Sequence, residues 1–363
     1  MIPLDICGQR LASQHLTKQK IEKASEIVQL LGAMQAQDYS AAKWGIAQRT
    51  RSATDTEVEK EISDGSILRT HVLRPTWHFV APDDIRWMLA LTAPRVKALL
   101  AFYDRKLELD APVLRRSRAV LTKALRDGKQ LTRTELSQAL TKSGIRADGT
   151  QRLAHLVMHA ELDGLICSGA RRGKQFTYAL LEERVAPAKK LSRDEALVEL
   201  AHRYFTTRGP ATPDDFAWWS GLTRTDAKRA VAAHSTLEQT IIGERKYWFQ
   251  PTTRTTRGKS PVARLLPNYD EYFIGLKDRT AIQTKLDMAG VEGSLSYLRG
   301  HIATVDGQVV GGWERTLKGK SAIVTVRPLT PFGEGERAAI AREVDRFAKF
   351  LEVPARLEVA AAL

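Results

Sequence analysis

Apolar residues recur at helical spacing in the segment from residue 113 to residue 181. The stretch VLRRSRAVLTKALRDGKQ has this spacing and stops at Gly128. In the next stretch, LTRTELSQALTKSG, Thr132 is a candidate N-cap and Glu135 follows at capping-box spacing. A third helical stretch follows, and two short strand-like stretches then flank a turn at residues 169–174. Three helices and a hairpin are the order of a winged helix, in which the third helix can enter a DNA groove and the wing contacts phosphate.

The same order of elements recurs on both sides of this segment, although less cleanly. Three helical stretches and a hairpin with Gly243 near its tip follow it, and three helical stretches with an alternating segment precede it. The repetition of this order is degenerate, so the alternative is that helices follow one another in this order by coincidence. Beyond the polar, basic stretch TTRTTRGKSP, the chain alternates as strands do and ends in one helical stretch.

These patterns predict an α+β fold that is mainly α-helical. It would contain three tandem winged-helix units of the helix-turn-helix class, followed by a small, mostly β C-terminal domain. The predicted units are residues 1–110, 111–190 and 191–255, and the C-terminal domain is residues 256–363. A chain of 363 residues is long enough for several such domains.

The charge of the chain is strongly positive and unevenly distributed. Its formal net charge is +14 and its isoelectric point is near 9.8. Residues 111–190 alone contain 16 Lys and Arg against 7 Asp and Glu. This balance favours an anionic partner, with nucleic acid first and a membrane surface second, and ordinary solubility is the alternative.

Other sequence features bear on compartment and membrane association. No run of about 18 apolar residues occurs, so we predict no membrane span. The N-terminus carries charges within its first ten residues and lacks the apolar region of a secretory signal. The two cysteines, Cys7 and Cys167, lack metal-ligand spacing. A reduced, cytoplasmic setting is expected, in association with the nucleoid if the partner is DNA.

Common cofactor and catalytic motifs are not found in the sequence. Two Gly-Lys-Ser triplets occur, but Thr253 and Glu314 stand where a phosphate-binding loop needs its first glycine. No G-x-G-x-x-G follows a strand, and neither H-E-x-x-H nor G-x-S-x-G occurs. His155 and His159 lie four residues apart on one predicted helix, which favours a polar helix face over a metal site. We therefore predict no metal and no cofactor.

Basic residues cluster at the tips of two predicted hairpins. Arg171, Arg172 and Lys174 occupy one tip, and Lys318 and Lys320 occupy the other. Such tips suit contacts to phosphate or insertion of a hairpin into a DNA groove. A solvated turn is the equal alternative for either tip alone, and their occurrence on separate hairpins favours DNA binding.

Two further stretches combine polar and aromatic side chains. In LRPTWHFVAPDD, Arg74 and His78 are candidate DNA contacts and Trp77 is a candidate pocket residue, although a core strand with a satisfied histidine is favoured. In LLPNYDEYFIG, Tyr269 and Asp270 are candidate pocket residues, and a hydrogen-bonded turn is the equal alternative.

Three stretches, MQAQDYSAAKWGIAQR, LRPTWHFVAPDDIRWML and RLLPNYDEYFIG, resemble the winged-helix DNA-glycosylase family of the AlkZ/YcaQ type. The resemblance runs over essentially the whole chain. It implies a bacterial enzyme that unhooks interstrand DNA crosslinks and excises bulky or N-alkylated purines. The catalytic motif of that family is Gln-x-Gln in one branch and Gln-x-Asp in the other. Gln35-Ala36-Gln37 looks like the first branch, which is associated with self-resistance to crosslinking natural products, and Gln35 and Gln37 are thereby implied to be catalytic.

The chemistry of such a substrate is compatible with a carboxamide. An alkylated purine carries positive charge and leaves readily, and an amide carbonyl can stabilise the oxocarbenium-like transition state without ionising. Gln37 cannot act as a general base, and the motif has no lysine for a Schiff base. The prediction is a monomeric, monofunctional glycosylase acting on double-stranded DNA with alkyl or crosslink lesions. The alternatives are a winged-helix transcription regulator without activity and a capping or surface role for the glutamines.

Overall fold

The computed structural model describes residues 5–17, 20–147, 149–188, 190–251, 260–284 and 301–362. Most of the predicted linker TTRTTRGKSP, including Thr253, Gly258 and Lys259, lies outside these ranges. None of the helices within them is both long enough and apolar enough to cross a membrane.

The chain begins with helices around a three-stranded antiparallel sheet. The elements are α1 (Ile6–Ser13), α2 (Ala24–Leu31), β1 (Ala33–Gln35), α3 (Tyr39–Ala47), α4 (Asp55–Asp64), β2 (Leu68–His71) and β3 (Trp77–Val80). The strands are ordered β1-β3-β2, and Gln35 of β1 lies opposite His78 of β3. A capping box between Thr54 and Glu57 begins α4. Residues 24–80 form the first repeat, and a long helix, α5 (Pro82–Lys106), follows it.

The second repeat, residues 111–180, has the same order of elements. It contains α6 (Ala111–Leu125), β4 (Leu131–Thr132), α7 (Arg133–Lys142), α8 (Thr150–Leu162), β5 (Ile166–Ser168) and β6 (Thr177–Leu180), and the short α9 (Leu181–Arg184) follows. The strand order β4-β6-β5 again places the last strand in the middle. Thr132 and Glu135 form the capping box that their spacing indicates. Leucines of all three helices pack into a core of their own, among them Leu121, Leu136 and Leu156.

The third repeat, residues 193–249, contains α10 (Arg193–Arg208), α11 (Pro213–Ser220), α12 (Arg224–Ala232), β7 (Glu238–Ile242) and β8 (Arg245–Phe249). Ala211 forms an antiparallel bridge with Trp248, so the chain before α11 lies beside β8 as the first strand does in the other sheets. Its core is continuous with that of the first repeat. Leu68 and Val80 of the first sheet, Met88 of α5 and Leu200 of α10 belong to one buried cluster.

The C-terminal region is a five-stranded sheet covered by a helix. Its elements are β9 (Ala263–Leu266), α13 (Glu271–Ile274), a 3-10 turn (Thr280–Ile282), β10 (Ile302–Val305), β11 (Gln308–Lys318), β12 (Ser321–Pro328), α14 (Glu334–Leu351) and β13 (Ala355–Val359). The strand order is β13-β12-β11-β10-β9, and only β12 and β13 are parallel. Phe347 of α14 packs edge-on against Trp44 of α3, with 5.0 Å between ring centroids. This sheet is therefore packed against the first repeat.

The predicted mainly helical α+β fold with a C-terminal sheet is confirmed. The order helix, strand or bridge, helix, helix, strand, strand occurs three times. Helices α1 and α5 were not predicted. Buried residues of α5 include Asp84, Met88, Leu91 and Val96 and face more than one neighbour, because this helix lies between the first and third repeats. A helix buried in this way has no simple apolar stripe to indicate it.

Candidate active site

Three stretches that are distant in sequence meet at the end of β1. The backbone N–H of Gln35 donates a 2.9 Å hydrogen bond to Oε1 of Glu271, in the stretch LLPNYDEYFIG. The backbone N–H of Ala36 donates to the carbonyl oxygen of Trp77 at 2.7 Å, in the stretch LRPTWHFVAPDD. The Gln35-Ala36-Gln37 motif therefore lies between the other two stretches that the sequence singled out.

The side chain of Gln35 is buried, with 9% of the residue exposed. Its Oε1 accepts a 2.9 Å hydrogen bond from Nη2 of Arg74. A guanidinium has only donors, so the contact requires the amide oxygen, and not the NH2 group, to face Arg74. Burial lowers the pKa of Arg74, and nearby Glu271 partly offsets this effect.

The side chain of Gln37 is exposed, in contrast to that of Gln35. The only hydrogen bond recorded for it within the described ranges is long, 3.4 Å from the backbone N of Trp77 to Oε1. The carbonyl of Gln37 is therefore almost free to meet a ligand. The neighbouring Asp38 is occupied, since its carboxylate caps α3 by accepting from the N–H of Ala41 at 3.2 Å.

Gln37 lines a cleft of about 400 Å³ between the first and second repeats. The described residues around it supply three cations and no carboxylate. The cations are Arg69, Arg133 and Lys174, and the aromatic lining residues are Trp77, Phe176 and Tyr178. A cleft with this lining can accept an anionic polymer together with a flat aromatic group.

Arg69 joins the cleft to the glutamine motif. Its Nε donates to the carbonyl oxygen of Ala36 at 3.1 Å, and its guanidinium carbon lies 4.3 Å from the Trp77 ring centroid and 4.6 Å from that of Phe176. Burial lowers the pKa of Arg69, and Glu161 partly offsets this. Arg69 was not among the residues predicted from the sequence. The alternation of residues along β2 and β3 could have identified it. Arg69 lies opposite Phe79 and therefore on the same face of the sheet as Trp77.

The three cations at the tip between β5 and β6 have different surroundings. Arg171 turns inward, with Nη1 3.5 Å from a carboxylate oxygen of Glu59. Arg172 is exposed but forms an ion pair of 2.8 Å with Glu135. Lys174 is exposed and lines the cleft. The structure therefore places only one of the three predicted DNA contacts at the cleft.

The second predicted basic tip is the turn between β11 and β12. Lys318 and Lys320 are exposed on either side of Gly319, whose φ of +58° favours glycine. Leu317 beside them is 62% exposed. This tip presents two cations and an apolar side chain to solvent, and none of these residues lines the cleft.

His78 is not placed to contact DNA, contrary to the sequence interpretation, whereas the predicted DNA contact of the half-buried Arg74 stays a prediction. His78 is fully buried, and its Nδ1 lies 2.9 Å from the carbonyl oxygen of Thr76. Burial lowers the pKa of His78 far below its usual value, with a further contribution from Arg74, so the ring is neutral. The core-strand alternative describes the burial of His78 correctly, but its ring is only half satisfied, since Nε2 has no hydrogen-bond partner within the described part of the chain. Arg74 contacts Gln35.

Asp270 and Tyr269 do not line the cleft. Asp270 is buried and accepts two 2.8 Å hydrogen bonds from Arg49, and it also caps α13 through the N–H of Tyr272. Tyr269 is 39% exposed at a φ of +61°. The structure supports the hydrogen-bonded turn that the sequence left open, and of the predicted pocket residues only Trp77 lies at the cleft.

The histidine pair of α8 contacts one carboxylate of α5. Nδ1 of His155 lies 3.0 Å from Oδ1 of Asp104, and Nε2 of His159 lies 2.9 Å from Oδ2. These contacts join the second repeat to the helix that precedes it.

Comparison with known proteins identifies the family of the chain. It is 26% identical over 352 residues to an interstrand DNA cross-link repair glycosylase of Streptomyces sahachiroi, covering 91% of each chain. The solved structure of Streptomyces sahachiroi DNA glycosylase AlkZ superposes with a TM-score of 0.77 at 22% identity over 98% of each chain, which shows a shared fold. The family model described as DNA glycosylase AlkZ-like matches residues 28–350. Because this match spans most of the sequence, the chain belongs to the AlkZ-like DNA glycosylase family, whose members are hydrolases acting on N-glycosyl bonds.

Proposed function

We propose that the chain is a monofunctional DNA glycosylase that excises bulky N7- or N3-alkylated purines and unhooks interstrand crosslinks. The observation that carries this proposal is the exposed carboxamide of Gln37, whose carbonyl is almost free, in a cleft lined by cations and aromatic rings. The crosslink-repair name of the Streptomyces relative supports the lesion class. Self-resistance to a genotoxic natural product is the role that we propose for it.

The two glutamines would have different roles. Alkylation leaves positive charge on the purine, so the base departs readily and positive charge develops on the deoxyribose. The carbonyl of Gln37 would stabilise that charge and orient the attacking water. The carbonyl of Gln35 is already bonded to Arg74, so Gln35 would position the motif and is not proposed to face the sugar.

The proposed reaction ends at an abasic site. A Schiff-base lysine is activated by desolvation or by an adjacent cation, whereas Lys174, the lysine that lines the cleft, is exposed to water. Borohydride should therefore trap no covalent complex between the enzyme and damaged DNA. A trapped complex that disappears in Lys174→Arg would contradict monofunctional action.

DNA binding would involve three repeats acting as winged-helix units and the two basic regions. Lys174 and the cations of the cleft would contact phosphate near the lesion, and the tip with Lys318 and Lys320 would enter the minor groove. A crosslinked purine is tied to both strands and cannot rotate freely out of the helix. An enzyme that reads such a lesion in place needs an open cleft, as is found beside Gln37.

The test is excision from a duplex carrying one N7-alkylguanine, with alkali to cleave any abasic site. We expect strand cleavage by the wild type and a loss on the order of 10²-fold in Gln37→Ala, comparable to removal of one oriented stabilising group. The melting temperature should be unchanged because Gln37 is exposed. DNA affinity should be unchanged because the charge that its carbonyl stabilises develops only in the transition state. Tight binding without cleavage, on this duplex and on a crosslinked one, would favour a winged-helix regulator instead.

A further inference from the structure

Glu271 is a buried carboxylate that the proposed reaction does not use directly. It is 1% exposed and accepts four hydrogen bonds. Oε1 receives the backbone N–H of Gln35 at 2.9 Å. Oε2 receives Nε and Nη2 of Arg208 at 3.0 and 2.6 Å and Nε1 of Trp219 at 2.9 Å. One side chain thus joins the C-terminal region, the third repeat and the glutamine motif.

Arg208, the partner of Glu271, also binds the backbone that precedes the motif. Its Nη1 donates to the carbonyl oxygen of Leu31 and its Nη2 to that of Ala33, both at 2.9 Å. These two residues flank Gly32, whose φ of +76° turns the chain from α2 into β1. The Arg208–Glu271 pair therefore binds the backbone at residues 31, 33 and 35.

From this arrangement we infer that Glu271 is a positioning residue for the Gln35-Ala36-Gln37 motif. The inference rests on the proposed function of Gln37. β1 ends at Gln35, so the bond from Gln35 to Glu271 fixes the point at which the chain leaves the sheet towards Gln37. A side chain that acts by electrostatic stabilisation needs this kind of fixed placement, since a shift of about 1 Å can cost on the order of 10²-fold in rate.

The substitution Glu271→Gln tests whether both oxygens of this carboxylate are needed as hydrogen-bond acceptors. Both oxygens now act as acceptors, one for Gln35 and one for Arg208 and Trp219. A glutamine has one acceptor oxygen and one NH2 group, so whichever way the amide turns, a donor faces a donor. Glu271→Asp is the second variant. It keeps the charge that neutralises Arg208 but withdraws it by one methylene from Gln35.

A matched control is the buried carboxylate of Glu343 in α14. It is 2% exposed and pairs with Arg264 and Arg346, each at 3.0 Å. Within the described ranges, no hydrogen bond is recorded between Glu343 and residues 33–37. Glu343→Gln should therefore destabilise the fold by the same kind of loss while leaving the motif in place.

The experiment compares wild type, Glu271→Gln, Glu271→Asp and Glu343→Gln. Single-turnover excision of N7-alkylguanine is measured at saturating enzyme and at a temperature where each variant is folded, and dissociation constants for the damaged duplex are measured separately. We expect both Glu271 variants to lose on the order of 10²-fold in rate with unchanged affinity. Glu343→Gln should retain the wild-type rate. Wild-type rates in either folded Glu271 variant, or an equal loss in Glu343→Gln, would overturn the inference.

Amide hydrogen exchange gives a readout that does not depend on activity. Peptides covering residues 31–37 should exchange faster in both Glu271 variants than in Glu343→Gln. Unchanged exchange in the Glu271 variants would also overturn the inference. If the wild type excises no lesion, the proposed function fails, and the exchange comparison then decides separately whether Glu271 holds the backbone of the motif.

Discussion

Arg74 donates a 2.9 Å hydrogen bond from Nη2 to Oε1 of Gln35, and this contact distinguishes two glutamines that the sequence presents as equals. The carbonyl of Gln35 is occupied, whereas that of Gln37 has only a 3.4 Å contact with the backbone of Trp77. The motif thus offers one available carbonyl, that of Gln37, to a substrate, and Arg74 holds the carbonyl of Gln35.

Replacing Arg74 tests whether it positions Gln35 or binds DNA. Arg74→Met keeps the apolar length of the side chain but removes every donor, so the amide of Gln35 loses its fixed orientation. We expect single-turnover excision to fall by about tenfold, while the dissociation constant and its salt dependence stay as in the wild type. A salt slope reduced by about one unit would mean instead that Arg74 contacts phosphate.

Lys174 and Arg172 offer a matched pair for measuring phosphate contacts. Both are exposed cations on one tip, but Arg172 is paired with Glu135 at 2.8 Å and Lys174 lines the cleft. Lys174→Ala should reduce the slope of log Kd against log salt by about one unit, because one released counterion is lost. Arg172→Ala should reduce it less. Equal effects of the two substitutions on the slope would show that the whole tip binds DNA.

Local sequence patterns were enough to predict much of the fold. The capping box of Thr132 and Glu135 is a contact between residues three apart, and their spacing in the sequence predicts it. Such contacts depend on neighbours in the chain, so local sequence patterns predict them.

The site depends on contacts that no local pattern contains. Gln35 and Glu271 are 236 residues apart, and their hydrogen bond exists only because the C-terminal region packs against the first repeat. Charge alone is also an insufficient guide at one tip. Arg171 and Lys174 look alike in sequence, but Arg171 turns inward towards the carboxylate of Glu59 and the rings of Tyr39 and Phe176. Partners that only the folded chain brings close, from the same repeat for Arg172 and from the first repeat for Arg171, decide which cations of this tip are paired.

Asp270 should contribute to stability and not to chemistry. It forms a fully buried, two-bond ion pair with Arg49, and Asp270→Asn would leave the Arg49 charge uncompensated. We expect a loss of about 3–5 kcal/mol in the free energy of unfolding, measured with urea. The exposed pair of Arg224 and Asp214 is the control, and Asp214→Asn should cost less than about 1 kcal/mol. A small loss in Asp270→Asn would show that the buried pair is replaceable.

His78 should make stability fall as the solution becomes acidic. Burial holds its pKa in the fold far below the value of 6.5 expected in the unfolded chain. Below pH 6.5 the unfolded chain binds a proton at this position and the folded protein does not, so the free energy of unfolding decreases as pH falls towards the folded pKa. The slope from this one group reaches about 1.4 kcal/mol per pH unit.

The substitution His78→Asn isolates that contribution, because asparagine can still donate to the carbonyl of Thr76 but does not titrate. Burial also lowers the pKa values of His15, His202 and His301, but these remain in both proteins and cancel in the comparison. Unfolding free energies measured between pH 8 and 5 should be parallel at the alkaline end. Below about pH 6.5 the wild type should lose stability more steeply than the variant. Parallel curves over the whole range would mean that the folded protein can protonate His78 as easily as the unfolded chain, which its burial opposes.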